Sequence, residues 1–112
     1  MGVAVDGYGR VYVADTWNDR IRVIERDGRV HTLAGGGEPG YIDSVGAAAR
    51  FDTPVGLAWD NQGRLLVADL YNNAVRRVAM DGTVDTVLGA GNVINGPLSL
   101  AVSHDDVLYV GD

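Results

Sequence analysis

Short apolar runs alternate with polar, glycine-rich turns along the chain. The first four runs are rich in β-branched residues and predict four antiparallel strands, at Val3–Asp6, Val11–Ala14, Ile21–Ile24 and Val30–Ala34. Asp27 and Gly28, between the last two runs, are a strong hairpin signal. The first two runs are almost continuously apolar, as in strands that are buried on both faces. The pattern therefore predicts a four-stranded sheet that is covered on both sides.

The same pattern occurs again 54 residues later. Gly56–Gly89 aligns with Gly2–Gly35 without a gap, and 15 of the 34 paired residues are identical. A third copy begins at Leu100 and ends at Asp112, after its second strand. Repeats of about 40 to 50 residues indicate propeller blades or other stacked arrays, and four-stranded units favour an all-β propeller. The second copy predicts strands at Leu57–Asp60, Leu65–Ala68, Val75–Val78 and Val84–Leu88.

No segment is predicted to form a helix of useful length. The segment Ser44–Phe51 allows one helical turn at most, and the glycine-rich stretches beside it favour a loop. No apolar run approaches the length of about 20 residues that spans a bilayer, so no membrane span is predicted.

Two segments, Gly2–Ile24 and Gly56–Val78, resemble the NHL repeat. In that repeat a Gly-apolar-Ala-apolar-Asp strand leads through a glycine turn to an apolar strand that ends in Ala-Asp, and an Asn loop and an Arg-bearing strand follow. The chain departs from this pattern at Ala74, and at Ser99 and Ser103 of the third copy. The resemblance implies β-propeller blades of four antiparallel strands, in a complete ring of about six blades.

Three units follow from the repeat. They are a first blade at 1–55 that includes a long blade-to-blade loop at 36–55, a second blade at 56–99, and the first two strands of a third blade at 100–112. Propellers close with about four to eight blades, so these units form an incomplete ring. We expect the chain to be a piece of a longer open reading frame. The remaining blades would come from that longer chain or from self-association.

The loop at 36–55, called the interblade segment below, is longer than its counterpart after the second blade by 11 residues, the difference between the repeat spacings of 54 and 43. It resembles the long blade-to-blade loop of bacterial NHL proteins, with an Asp-small pair at Asp43 and Ser44. Phe51 and Pro54 are expected to lie between the blades. Both a spacer and a functional loop fit the segment, and the spacer is favoured.

Strand direction predicts which loops share a face. In an antiparallel blade, the loop after the second strand lies on the same side as the interblade segments, and the Asp-Gly hairpins lie on the other side. Loops on a rigid scaffold usually carry function, so we take this side, called the loop face below, as the candidate partner surface. Its candidate residues are Trp17, Asn18, Tyr41, Asp43, Tyr71 and Asn72.

Trp17 and Tyr71 occupy equivalent positions in the two copies. One interpretation is that this aromatic pair grips a partner, since exposed aromatic residues are enriched at binding hot spots. The other, which is favoured, is that each ring packs over the edge of its own blade.

Carboxylates recur where the second strand of each copy ends, at Asp15, Asp69 and Asp112. Hard metal ions prefer such oxygen ligands, but one carboxylate occurs in each blade whatever the role of that blade. A carboxylate that accepts backbone N–H bonds at a strand end explains the repetition better, and no metal or cofactor is predicted. The residues assigned to the structure of the repeat are Asp15, Asp69, Asp112, Gly28, Gly82, Phe51 and Pro54.

The innermost strands read VAV, LAW and LAV, and they present no acid, base or nucleophile before Asp6 and Asp60 at their ends. His31 and His104 are assigned to the surface. Lactonase-like propellers, the nearest catalytic relatives, need several carboxylate or amide ligands at the channel. No catalytic residue is therefore predicted here, although further blades would add candidate ligands.

The net charge of −6, with nine Arg and no Lys, argues against a surface that coats phosphates. No nucleic-acid partner is expected, and RNA binding is the least favoured function. The leading hypothesis is a non-enzymatic binding scaffold whose partner is a protein or a small ligand on the loop face. The alternative is part of a propeller enzyme of the lactonase or lyase kind.

Overall fold

The computed structural model describes residues 1–89 and 95–112. The strands in these residues are β1 (Val3–Val5), β2 (Val11–Asp15), β3 (Arg20–Ile24), β4 (Val30–Ala34), β5 (Pro54–Trp59), β6 (Leu65–Asp69), β7 (Ala74–Val78), β8 (Val84–Leu88), β9 (Ser99–Val102) and β10 (Leu108–Gly111). Short 3₁₀ turns occur at Thr16–Asn18, Gly46–Ala48 and Leu70–Asn72. In this part of the chain, no helix is long and apolar enough to cross a membrane.

The strands form two four-stranded sheets, β1-β2-β3-β4 and β5-β6-β7-β8, and one pair, β9-β10. All neighbours are antiparallel, which confirms the prediction of four-stranded antiparallel blades. Most strand boundaries lie within one residue of the sequence prediction, and one differs by three residues. β5 begins at Pro54 rather than Leu57, because Pro54 pairs with Asp69 across an irregularity between Pro54 and Gly56.

The inner strands of neighbouring sheets lie close together, and β5 contacts β1 and β2 on one side and β9 on the other. Gly2 and Gly56, the first residues of the two repeat copies, lie at these contacts. A Cβ at Gly2 would lie 2.8 Å from the backbone nitrogen of Leu57, and a Cβ at Gly56 would lie 2.6 Å from the carbonyl oxygen of Leu98. Since these distances leave no room for a side chain, glycine at these positions allows the blades to pack closely.

The main hydrophobic core lies between the first two sheets and is closed by Ala49 and Phe51 of the interblade segment. Consecutive residues of β6 are buried, so both faces of this strand are covered, as its continuous apolar run predicts. The core residues contributed by the sheets are Tyr12, Ala14, Ile21, Val23, Ala34, Leu65, Val67, Val78 and Val84.

The hairpins between the third and fourth strands depend on glycine. Gly28 and Gly82 both have a φ of 91°, which L-residues rarely adopt. Each donates its N–H across the turn, to the Glu25 and Ala79 carbonyls respectively, at 2.9 Å. The repeat therefore needs glycine here for backbone geometry.

Candidate functional site

The loop face carries two exposed aromatic rings. Trp17 lies in the turn after β2 and is 89% exposed, and Tyr71 lies in the turn after β6 and is 69% exposed. The prediction that each ring packs over its own blade edge is wrong. Each ring occupies the middle of a three-residue turn, and the described residues leave most of it uncovered.

The two turns that carry the rings are anchored in the same way. Each ends in a residue with a left-handed backbone, Asp19 at φ 54° and Asn73 at φ 49°. The Asp19 Oδ1 accepts the N–H of Thr53 at 2.7 Å, and the Asn73 Oδ1 accepts the N–H of Gly96 at 2.8 Å. Both donors directly precede a proline that enters the next blade. Each aromatic turn is therefore bound to the chain that starts the following blade.

A buried polar network begins at Asp69, the carboxylate at the end of β6. Asp69 is fully buried. It accepts the N–H of Asp52 at 2.8 Å, the Nδ2 of Asn72 at 2.8 Å and the Nη1 of Arg76 at 2.8 Å. Asp69 thus accepts a backbone N–H at its strand end, as predicted, whereas the described partners of Asp15 are the side chains of Asn18 and Arg22. Burial raises the pKa of Asp69 to about 6, although its hydrogen-bond donors act in the opposite direction.

Arg76, on β7, is the centre of this network, and its side chain is 0% exposed. Its Nη2 donates to the Asp43 Oδ1 at 2.7 Å and its Nε to the same oxygen at 3.2 Å. The rings of Tyr41 and Phe51 lie 4.8 and 5.0 Å from the guanidinium carbon. Two charge partners and two aromatic rings thus compensate for the desolvation of this guanidinium.

The same network holds the interblade segment against the second blade. Asn72 Nδ2 donates to the Gly40 carbonyl at 2.8 Å, and Thr86 Oγ1 lies 3.0 Å from both Asp43 carboxylate oxygens. Arg76 also donates to the carbonyls of Ile42 and Arg50, at 3.0 and 2.8 Å. Asp43 and Asn72, predicted as partner-binding residues, are thus already engaged within the chain. Tyr41 remains 41% exposed.

The first blade has the same residues 54 positions earlier. Asn18 Nδ2 donates to the Asp15 carboxylate oxygens at 3.1 and 3.0 Å. The Arg22 Nη1 is 3.5 Å from the Asp15 Oδ2. The Arg22 Nε is buried, and it has no hydrogen-bond partner among the described residues. Thr32 faces Arg22 across the strand pair as Thr86 faces Arg76.

The other predicted residues lie as follows. Phe51 and Pro54 are fully buried, and a Cβ at Gly35, which follows the last strand of the first blade, would lie 3.2 Å from the Phe51 ring. Asp112 is exposed. The two histidines, His31 and His104, have side chains 53% and 100% exposed. Within residues 1–89 and 95–112, no three His, Cys, Asp or Glu side chains form a group suited to a metal ion.

A second feature lies on the hairpin side, which sequence reasoning did not single out. Asp6 accepts hydrogen bonds from the Arg10 Nε at 2.7 Å and the Tyr12 hydroxyl at 2.9 Å. Partial burial acts to raise the pKa of Asp6, but these donors and two backbone N–H groups lower it to about 2. An open cleft of about 330 Å³ lies beside this cluster, between the hairpins of the two blades, and its apolar wall includes Trp59 and Met80.

Comparison with known proteins gives relatives that span far more than this chain. The chain is 35% identical over 136 residues to NHL repeat-containing protein 2 of Bos taurus. This alignment covers 100% of this chain and 19% of the relative. It is 34% identical over 87 residues to the chloroplastic protein SUPPRESSOR OF QUENCHING 1 of Arabidopsis thaliana, which covers 77% of this chain and 8% of the relative. The chain thus spans less than a fifth of the length of these curated relatives. No protein-family model matches.

Solved structures agree on the fold. An auxiliary nutrient binding protein from Bacteroides thetaiotaomicron superposes with a TM-score of 0.83 at 17% identity, covering 98% of this chain and 34% of that protein. A gluconolactonase from Xanthomonas campestris superposes with a TM-score of 0.76 at 24% identity, covering 100% of this chain and 34% of that enzyme. At these identities the likeness concerns the fold alone. With its repeated motif, its four-stranded antiparallel sheets and its curated relatives, the chain belongs to the NHL-repeat β-propeller family.

Proposed function

We propose that the chain is a non-enzymatic binding scaffold that holds a protein or a small ligand on its loop face. The observation that carries this proposal is the exposure of Trp17 and Tyr71, at 89% and 69%, at equivalent points of two blades. Large aromatic rings that stand free on anchored loops supply contact area at low entropic cost when a partner covers them.

The anchoring of these loops supports the same proposal. Asp19 and Asn73 fix the turns to the following blades through hydrogen bonds of 2.7 and 2.8 Å. The rings are therefore presented from a rigid base, which lowers the cost of ordering them on binding. Of the six candidate residues on this face, Asp43 and Asn72 already form hydrogen bonds that hold the interblade segment on the second blade. Trp17 and Tyr71 are therefore the principal contact residues of the proposal.

Photo-crosslinking tests this proposal directly, because it captures any protein or organic ligand that brings a C–H bond next to the photoreactive group. Trp17 or Tyr71 is replaced, one at a time, by the photoreactive amino acid benzoylphenylalanine in the intact protein within its own cells. Tyr8 is the matched control, because it is 76% exposed but lies on the hairpin side. We expect one discrete cross-linked product, identified by mass spectrometry, from positions 17 and 71. No product, or the same product from position 8, would refute the proposal.

The second candidate function is an enzyme of the lactonase or lyase kind, and a gluconolactonase shares the fold. Such chemistry needs several ligands or acid-base groups that converge on one point, and residues 1–89 and 95–112 bring no three metal-ligating side chains together. An assay of the intact protein with divalent metal ions and lactones separates the two functions. Metal-dependent turnover that survives the double substitution Trp17→Ala and Tyr71→Ala would favour the enzyme.

A further inference from the structure

The two blades carry the same four polar residues, but within residues 1–89 and 95–112 these residues have a full set of partners in the second blade alone. We call Asp15, Asn18, Arg22 and Thr32 the first-blade cradle; their counterparts are Asp69, Asn72, Arg76 and Thr86. In both blades an irregularity in the ladder immediately precedes the arginine, and the arginine pairs with the threonine on the fourth strand. The backbone therefore places the arginine and the threonine opposite each other in the same way in both blades.

The second blade shows what this arrangement binds. Arg76 holds the Asp43 carboxylate through Nη2 and Nε, and Thr86 contacts the same carboxylate at 3.0 Å. Asn72 holds the Gly40 carbonyl at 2.8 Å. Tyr41, two residues before the carboxylate, stacks on the guanidinium. The bound element is thus an extended segment that offers a carbonyl, an aromatic ring and a carboxylate in that order.

In the first blade the matching donors lack these partners. The Arg22 Nε, the counterpart of the atom that reaches Asp43, is buried and has no hydrogen-bond partner among the described residues. The side chains of Arg22 and Asp15 are 28% and 22% exposed, whereas both members of the Arg76–Asp69 pair are 0% exposed. A buried donor without a partner costs about 1–3 kcal/mol, and more when it is charged.

We propose that the first-blade cradle is a docking site for the interblade segment of a neighbouring repeat, recognised by a carboxylate and by the aromatic ring two residues before it. Charge supports this occupant, since the cradle offers the Arg22 guanidinium and the corresponding segment of this chain presents Asp43 to the second blade. The length of the curated relatives also supports it, because the chain spans less than a fifth of them. The proposal is independent of the aromatic pair on the loop face.

A peptide taken from this chain serves as the probe. It spans residues 38–53, EPGYIDSVGAAARFDT, and carries the ring, the carboxylate and the phenylalanine that the second blade binds. Titration of the peptide into the 112-residue protein is followed by calorimetry and by the two indole N–H signals in NMR spectra, since the chain has two tryptophans. We expect saturable binding that shifts the signal of Trp17, next to the cradle, and leaves that of Trp59 unchanged.

Substitutions in both partners separate docking from general charge attraction. Arg22→Gln, and the Asp43→Asn form of the peptide, should each weaken binding about tenfold or more, because each removes a charge-assisted hydrogen bond. Arg22→Lys should weaken it almost as much, since lysine keeps the charge but has no Nε donor in the guanidinium geometry. Arg29→Gln is the control, because it removes an arginine from an exposed hairpin, and it should leave affinity unchanged. Circular dichroism verifies that each variant folds.

The remaining outcomes decide against the proposal. No binding, equal binding to Arg22→Gln, or binding without a shift of the Trp17 signal would overturn the cradle as the site. Light scattering could instead show a dimer that depends on Arg22 and that the peptide dissociates. The occupant of the cradle would then be a second copy of this chain and not a neighbouring repeat. Failure of these tests would leave the crosslinking result at Trp17 and Tyr71 unaffected, since that test does not involve Arg22.

Discussion

Arg22 and Arg76 are the same residue of the repeat, yet they lie in different environments. Arg76 is 0% exposed, and two carboxylates and two aromatic rings surround it. Arg22 is 28% exposed, and among the described residues its one carboxylate partner is Asp15, at 3.5 Å. The difference comes from the interblade segment, which contacts both blades but places the Asp43 carboxylate and the rings of Tyr41 and Phe51 against Arg76. A repeat residue therefore acquires its energetic role from the chain that packs on it, and identical sequence does not imply equal contribution to stability.

The largest expected difference between the blades follows removal of the arginine. Arg76→Met leaves the Asp69 carboxylate buried without its cation, so we expect a loss of about 3–5 kcal/mol in the free energy of unfolding. Arg22→Met removes a partly exposed pair and should cost less than about 1 kcal/mol. Urea unfolding of both variants measures the difference, and equal losses would contradict the comparison.

Removal of the phenylalanine that covers Arg76 comes next. Phe51 is fully buried between the blades, so Phe51→Ala should lower the free energy of unfolding by about 3 kcal/mol or more through lost burial and an unfilled cavity. Phe51→Leu keeps most of the volume and should cost clearly less. Thermal denaturation of the two variants checks the order, and a Leu variant as unstable as the Ala variant would point to the aromatic stacking instead.

A smaller loss is expected when the interblade segment loses the carboxylate that pairs with Arg76. The Asp43 side chain is 43% exposed, and Asp43→Asn leaves Asp69 as the one charged partner of Arg76 among the described residues, so we expect a cost of about 1–2 kcal/mol in the free energy of unfolding. Hydrogen exchange should also accelerate in residues 40–45 while β6 stays protected. Unchanged exchange in that segment would show that the ion pair does not hold it.

The smallest effect concerns pH. The pKa of Asp69 is about 6 in the folded protein, above its ordinary value of 3.8, so the folded state takes up this proton first. Its contribution to stability is full below pH 3.8 and is lost as pH rises through 6. When the pH is lowered from 7 to 5, the free energy of unfolding of the wild type should therefore rise by about 1 kcal/mol relative to that of Asp69→Asn.

Asp6 provides the control for this pH effect. Its pKa is lowered to about 2, so its contribution is present above pH 3.8 and is lost as pH falls through 2. The stability difference between wild type and Asp6→Asn should stay constant between pH 7 and pH 5. Urea unfolding at the two pH values measures both differences, and a wild-type advantage over Asp69→Asn that shrinks on acidification would contradict the assignment.

The blades could be predicted from the sequence because strands, hairpin glycines and the repeat are local or periodic patterns. The exposure of the Trp17 and Tyr71 rings could not be predicted, since it depends on which other parts of the chain reach the tips of their turns. The network around Arg76 was also missed, because Asp43 lies in a loop without periodicity. One sequence pattern does point to this network, because Arg22 and Thr32 of the first copy recur as Arg76 and Thr86 of the second.

The interblade segment is attached to the blade that follows it, and this affects how blades can be duplicated within a gene. The sequence repeat suggests that a copied unit starts at Gly2 and ends just before Gly56. Such a unit would carry Asp43 away from Arg76, the residue that binds it at 2.7 Å. A unit that runs over residues 36–89 keeps the segment and its blade together. Insertion, loss or exchange of blades within a gene is therefore expected to be tolerated best when the breakpoints precede the interblade segment.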